Sequence, residues 1–382
     1  MMLEAYVDNS ATTLCSPSAA NAALEAMTVN YGNPSSLHKM GIKAEEYLRN
    51  ARRSISSPLG VSPSEIFFTS GGTEANNIAV LGAARALKKR GRRIVTTAIE
   101  HPSVYNCAKQ LENEGFEVIF LQPDEEGTVS PQAVYDAVNS DTVLVSMMYV
   151  NNETGAFLPV QDVKTAIERA NSPALFHCDA VQAFGKIPIK VKKLGIDLLS
   201  ASGHKIHSLK GSGFLYVRNG ARVITPVYGG GQESGIRSGT QNTPGIAALS
   251  VAVNEAFDGF DKNYEFVSRL NLQLKNALSA MEGVKINSPE NSLPFILNFS
   301  VCGVRSEILL HSLEASGVYV SSGSACSKGK KSGVLSAMGL SDERIDSAIR
   351  VSFSRYNTAD DVDLLVKALN DALSHIKRKS GR

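Results

Sequence analysis

The sequence predicts an α/β protein: a large domain on a mostly parallel seven-stranded sheet covered by helices, followed by a smaller α+β C-terminal domain. Two observations carry that expectation. Between about residues 60 and 220, short β-branched and apolar runs alternate with segments of helical period, as in a sheet sheathed on both faces. Beyond a glycine-rich stretch, "YGGGQESGIRSGTQNTPG" (228–245), the pattern changes to long helices, a few strands and a closing helix.

Seven runs read as the strands of the large sheet: "EIFFTS" (65–70), "RIVTTA" (93–98), "EVIFLQ" (117–122), "VLVSMMYV" (143–150), "ALFHCDA" (174–180), "DLLSAS" (197–202) and "GFLYVR" (213–218). Most are nearly continuous in apolar residues, which suits strands buried on both faces. "TEANNIAVLGAARALKKRG" (73–91) and "PVQDVKTAIERAN" (159–171) have helical period between them. Downstream, "IAALSVAVNEAFDGF" and "NYEFVSRLNLQLKNALSAMEG" are helical, "FILNFSV", "VYVSS" and "IRVSFS" extended, and "TADDVDLLVKALNDALSHIKRK" closes as a helix. The expected division gives residues 15–255 to the large domain, and residues 1–14 with 256–382 to the small one. No internal repeat or low-complexity tract interrupts it.

At 382 residues the chain exceeds the ~100–200 of one ordinary domain. With 43% hydrophobic and 20% charged residues and a formal charge of +2, its composition offers no nucleic-acid or membrane surface. No run approaches the ~18–20 apolar residues that cross a bilayer, and "MMLEAYVDNSATT" lacks a basic segment followed by an apolar one. A cytoplasmic protein is expected. Its five cysteines are odd in number, scattered and without a C-x-x-C pair, so neither a zinc site nor a disulfide framework is indicated. Cys15, Cys107, Cys178 and Cys302 read as small buried hydrophobes. Cys326 stands apart in "SSGSACSKGKKSG" (321–333), where small and charged residues follow no apolar period and a loop is expected.

Three segments carry candidate chemistry. In "FFTSGGTEANN" (67–77) a strand, two glycines and a threonine precede a helix, which suits a phosphate at the helix N-terminus and equally a plain capping turn. "SASGHKIH" (200–207) puts Lys205 just past a strand, where it is either a solvent-facing turn residue or a Schiff-base lysine for an aldehyde cofactor, pyridoxal phosphate. "FHCDAVQAFGK" (176–186) places Asp179 at a strand end, as a helix N-cap or as the carboxylate that a pyridinium nitrogen needs. The order phosphate cradle, aspartate, lysine favours the cofactor in all three.

With these segments the chain resembles the cysteine desulfurase family (NifS/IscS type), class-V, fold-type I pyridoxal-phosphate enzymes. The resemblance runs through "YVDNSATT" (6–13), "YGNPSSLH" (31–38), "TSGGTEANN", "EHPSV" (100–104), "NNETG" (151–155), "HCDAVQAFGK", "SGHK", "GGGQESGIRSGTQN" (229–242), "SSGSAC" and "IRVSFSRYN" (349–357), essentially the whole chain. It implies that Gly72, Thr73, Ser202 and His204 hold the cofactor phosphate, and that Lys205 is the Schiff-base and proton-shuttling residue. It further implies that His101 is a catalytic residue that stacks on the ring and moves protons, Asp179 pairs with the ring nitrogen, and Asn152 and Gln182 contact the ring's oxygen side. Thr240 would reach the phosphate of a neighbouring subunit in a homodimer. Arg350 would clamp the carboxylate of L-cysteine with Asn152 nearby, and no metal is expected. The Cys326 thiolate, favoured by Lys328, Lys330 and Lys331, would take the sulfur as a persulfide for a protein acceptor such as an iron–sulfur scaffold or a tRNA-thiolating enzyme.

Alone, His101 before a proline also reads as a helix-start residue and Arg350 as a strand residue paired with an acid. The chain departs from the family pattern at Ser208 and Leu209, where Gly-Pro is common, at Ser234, where an arginine is common, and in a lysine-rich, shortened segment after Cys326. A selenocysteine lyase or another class-V aminotransferase with Cys326 incidental is the competing enzyme, and a non-catalytic sulfur carrier the competing class.

Overall fold

The computed structural model describes residues 4–322 and 331–375; Cys326, Lys328 and Lys330 lie outside the described residues. The strands are β1 (Ala5–Tyr6), β2 (Ile66–Thr69), β3 (Arg93–Thr97), β4 (Glu117–Leu121), β5 (Thr142–Met148), β6 (Leu175–Asp179), β7 (Leu198–Ser202), β8 (Gly213–Val217), β9 (Val284–Ile286), β10 (Ile296–Val301), β11 (Val318–Tyr319) and β12 (Ala348–Ser352).

The seven runs expected in the large sheet form it, in the order β2-β8-β7-β6-β5-β3-β4. Strands β3 to β7 are parallel, and β8 lies antiparallel between β2 and β7. Every residue of β2, β5, β6, β7 and β8 is buried, which is why these runs lack a polar face. The exception in β6, His177, is satisfied across the sheet, with Nδ1 2.8 Å from Ser146 Oγ and Nε2 3.0 Å from Ser200 Oγ. Burial pushes its pKa down to about 3, so it sits there as a neutral ring.

The downstream strands divide differently from the sequence pattern. Strands β9, β10 and β12 make an antiparallel sheet, whereas β11 leaves it to pair in parallel with β1. Residues after β1 remain tied to β12. Asn9 Nδ2 donates to the Ser352 carbonyl (2.9 Å), and the Ser10 N–H donates to Ser352 Oγ (2.7 Å). Helix Thr243–Phe257 packs on helices Pro17–Thr28 and Lys39–Leu59, and helix Ala359–His375 on Phe260–Ser279 and Ser306–Ala315. Among the described residues no helix is long and apolar enough to cross a membrane.

The glycine-rich stretch before helix Thr243–Phe257 is pinned by Glu233. Its buried carboxylate takes both oxygens to Arg52 Nη2 at 2.8 Å and accepts the Phe68 N–H at 2.8 Å. Glu233 and Ser234 adopt positive φ of 50° and 54°, so Ser234 occupies a tight left-handed turn. Ser208 is buried and Leu209 packs against the main core.

Candidate active site

Parallel strands place their carboxyl ends on one edge, where open α/β sheets take ligands. Here that edge receives Asp179 from the end of β6, Ser202 from the end of β7, His204 and Lys205 just beyond it, and the start of helix Gly72–Leu87. With His101, Asn152, Gln182 and Arg350 they line one cavity of about 240 Å³. The sequence had marked all of these residues. Thr240, exposed in the segment before helix Thr243–Phe257, does not line it.

The helix start is shaped for an anion. Gly71 has a φ of 147°, which disfavours any side chain, and a Cβ at Gly72 would lie 2.6 Å from Val181 Cγ2. No side chain caps this helix, so its first N–H groups, beside Thr73 and Ser202, remain donors for a ligand. The His204 ring adds a neutral polar wall, since burial, reinforced by Lys205, pushes its pKa down to about 4.

Each ambiguous residue keeps its local role and still faces the cavity. Asp179 Oδ1 accepts the Val181 N–H at 3.0 Å as a turn cap, while Oδ2 receives Asn76 Nδ2 at 2.7 Å. His101 N-caps helix Pro102–Asn113 by accepting the Ser103 N–H on Nδ1 at 3.1 Å. Arg350, 2% exposed, donates Nη2 to Asp8 (2.9 Å) and Nη1 to the Asn152 carbonyl (3.1 Å), leaving Nε without a partner. Lys205 Nζ donates to the carbonyls of Ser10 and of Ala11, the latter at 2.8 Å.

Asn76 is among the cavity residues that the sequence reading missed. Its amide bridges Asp179 and Ser103 Oγ (2.9 Å), and Ser103 Oγ is 2.7 Å from His101 Nδ1. Since Nδ1 already accepts the Ser103 N–H, it is the unprotonated nitrogen, so the Ser103 hydroxyl donates to it and the ring proton is on Nε2. Burial, opposed by Asp179 and aided by Lys205, lowers the His101 pKa and favours this neutral form. The signal was present in "TEANN", but nothing local said which asparagine faces inward.

A pyridoxal phosphate fits the donor set. Lys205 and Arg350 bring basic side chains to the cavity beside the Asp179 carboxylate, a set suited to an anionic ligand. The uncapped helix start, the lysine just past β7 and the aspartate ending β6 line one cavity.

Of the thiols, Cys107 and Cys178 are buried as expected, whereas Cys15 and Cys302 are only half-buried. Burial pushes Cys107 up to about 11 and Cys178 well up, so neither is a ready nucleophile. Residues flanking the Cys326 segment are tied to the cavity walls. The backbones of Ser321 and Arg350 exchange hydrogen bonds of 3.1 and 2.7 Å, and Ser332 Oγ donates to Glu153, next to Asn152, at 2.5 Å. Lys331 is drawn to Asp342, 2.8 Å away.

The aminotransferase class-V family profile matches residues 5–365. A cysteine desulfurase IscS of Clostridium botulinum is 40% identical over 375 residues, 97% of this chain and 94% of that protein. The cysteine desulfurase IscS of Vibrio vulnificus is 40% identical over 389 residues, covering 100% and 95%. A solved NifS-like protein superposes with a TM-score of 0.93 at 39% identity, covering 98% of this chain and all of the other.

Proposed function

The chain belongs to the class-V aminotransferase family, among its cysteine desulfurases, and from that premise we propose how its own residues take sulfur from L-cysteine and leave L-alanine. The observation that carries the reading is convergence. Ten residues singled out in the sequence, spread from Gly72 to Arg350, line one cavity.

Pyridoxal phosphate, when bound, supplies an electron-withdrawing ring that weakens the substrate's carbon–sulfur bond. Gly72, Thr73, Ser202 and His204 would hold its phosphate, Asp179 its ring nitrogen, and Asn152 and Gln182 its oxygen side. Lys205 would bind it through Nζ and then carry protons at that atom. His101, with its proton on Nε2, would lie on the ring as a hydrogen-bond donor. Arg350 would orient the substrate carboxylate, using a planar guanidinium already fixed by Asp8 and Asn152.

Sulfur leaves through Cys326. Its thiolate attacks the substrate sulfur, an S–S bond forms as the C–S bond breaks, and the electron pair left on carbon is protonated, giving L-alanine and a Cys326 persulfide. That persulfide would pass to a protein acceptor in iron–sulfur assembly or tRNA thiolation. Thr240 is assigned to the phosphate of a neighbouring subunit in a homodimer acting in the cytoplasm.

The test is Cys326→Ala, assayed for sulfide release from L-cysteine with a thiol reductant. The variant is expected to lose turnover while retaining the cofactor's visible absorbance. Wild-type turnover would overturn the persulfide route and favour a lyase that does not need the thiol.

A further inference from the structure

Lys186 is buried with no carboxylate against it, a costly placement for an ammonium. It follows β6 in the turn that also carries Asp179 and Gln182. Its Nζ donates to Gln182 Oε1 at 2.9 Å and stands 5.7 Å from the Phe295 ring centroid. Gln182 Nε2 in turn donates to the Ser10 carbonyl at 3.2 Å. With Oε1 taken by Lys186, the group that Gln182 can offer the main cavity is its second N–H.

Lys186 and Lys205 also line a smaller cavity of about 30 Å³, roomy enough for a water. The charged and titratable groups around Lys186 are Lys205, His204 and His207 beyond β7, Arg350 on β12, and Arg355 just after it. No acid lines that smaller cavity among the described residues. Burial, followed by Lys205 and Arg350, pushes Lys186 down to about 7.

We infer that Lys186 is a positioning residue: from behind the cavity wall it holds Gln182 Oε1 and so fixes the Gln182 amide with its free N–H toward the ligand. This rests on the reading of the main cavity as a pyridoxal-phosphate site for the ligand's identity.

Lys186→Met removes the donor to Gln182 and keeps the bulk, whereas Lys186→Arg keeps a donor. The cofactor-free protein is titrated with pyridoxal phosphate and followed by visible absorbance. Lys186→Met should bind it roughly fivefold to tenfold more weakly, and Lys186→Arg should stay near wild type. Gln182→Ala should weaken uptake to a similar extent, and adding Lys186→Met to it should change nothing further, because the lysine acts through that amide. An unchanged affinity in a Lys186→Met protein that melts cooperatively, or effects that add in the double variant, would overturn the inference. Should Lys186→Met fail to fold, Lys186→Leu carries the same expectation and the same refutation. Failure of the wild type to take up the cofactor would instead sink the cofactor reading, and the inference with it.

Discussion

Ser332 and Glu153 are joined by a hydrogen bond of 2.5 Å between a serine hydroxyl and a buried carboxylate. The same hydroxyl oxygen accepts the Leu335 N–H at 3.1 Å, capping helix Gly333–Ala337. One side chain thus starts a helix and ties the chain just after the Cys326 segment to the wall that carries Asn152.

Ser332→Ala should therefore cost about 1–3 kcal/mol, as a buried acceptor loses its donor and a helix its cap. Thermal melting reads the loss. Sulfide release should fall several-fold while the absorbance of the bound cofactor is unchanged.

Glu100 is wholly buried, its Oε1 accepting the Met148 N–H and the Thr97 hydroxyl at 2.9 Å while Oε2 has no partner. Burial pushes its pKa up to about 8, so the folded state binds the proton more tightly than the unfolded one. Its stability contribution is full below the ordinary carboxylate value, shrinks as pH rises above it, and is lost once pH has passed about 8. The slope is at most about 1.4 kcal/mol per pH unit. Glu100→Gln should flatten the decline in melting temperature between pH 5 and 9; an equally steep decline would refute it.

Asn76→Ala would leave Asp179 Oδ2 and the Ser103 hydroxyl without their shared donor. We expect roughly tenfold weaker uptake of pyridoxal phosphate, from the ~1–2 kcal/mol of a charge-assisted hydrogen bond. Titration of the cofactor-free protein by absorbance measures it.

Arg350→Lys keeps a charge but loses the planar fork. The KM for L-cysteine should rise at least tenfold with the cofactor spectrum preserved, in steady-state assays at saturating pyridoxal phosphate. A rise in KM of less than twofold would remove Arg350 from substrate binding.

The large sheet was legible because most of its strands are buried on both faces and each announces itself over five or so residues. Lys205 and Asp179, which both line the cavity, were ambiguous one at a time and became legible only through their order along the chain and the family resemblance. Strand β1 and strand β9 were not, being two and three residues long with no period to detect. Asn76 and Lys186 were missed for a different reason. Their meaning lies in partners that the fold supplies, Asp179 being 103 residues from Asn76, and an inward-facing asparagine or lysine looks locally like an outward-facing one.

The ties from β1 and Ser10 to β12 set an order of events during synthesis. Ser10 and Ala11 provide the carbonyls that hold Lys205, yet Ser10 is itself held by Ser352, 342 residues later. While the ribosome makes the large sheet, the earliest-made wall of the pocket lacks its tie to Ser352. The emerging chain is therefore unable to complete the cavity until β12, which carries Arg350, has been translated, and a nascent chain arrested before β12 should bind pyridoxal phosphate poorly even with Lys205 already made.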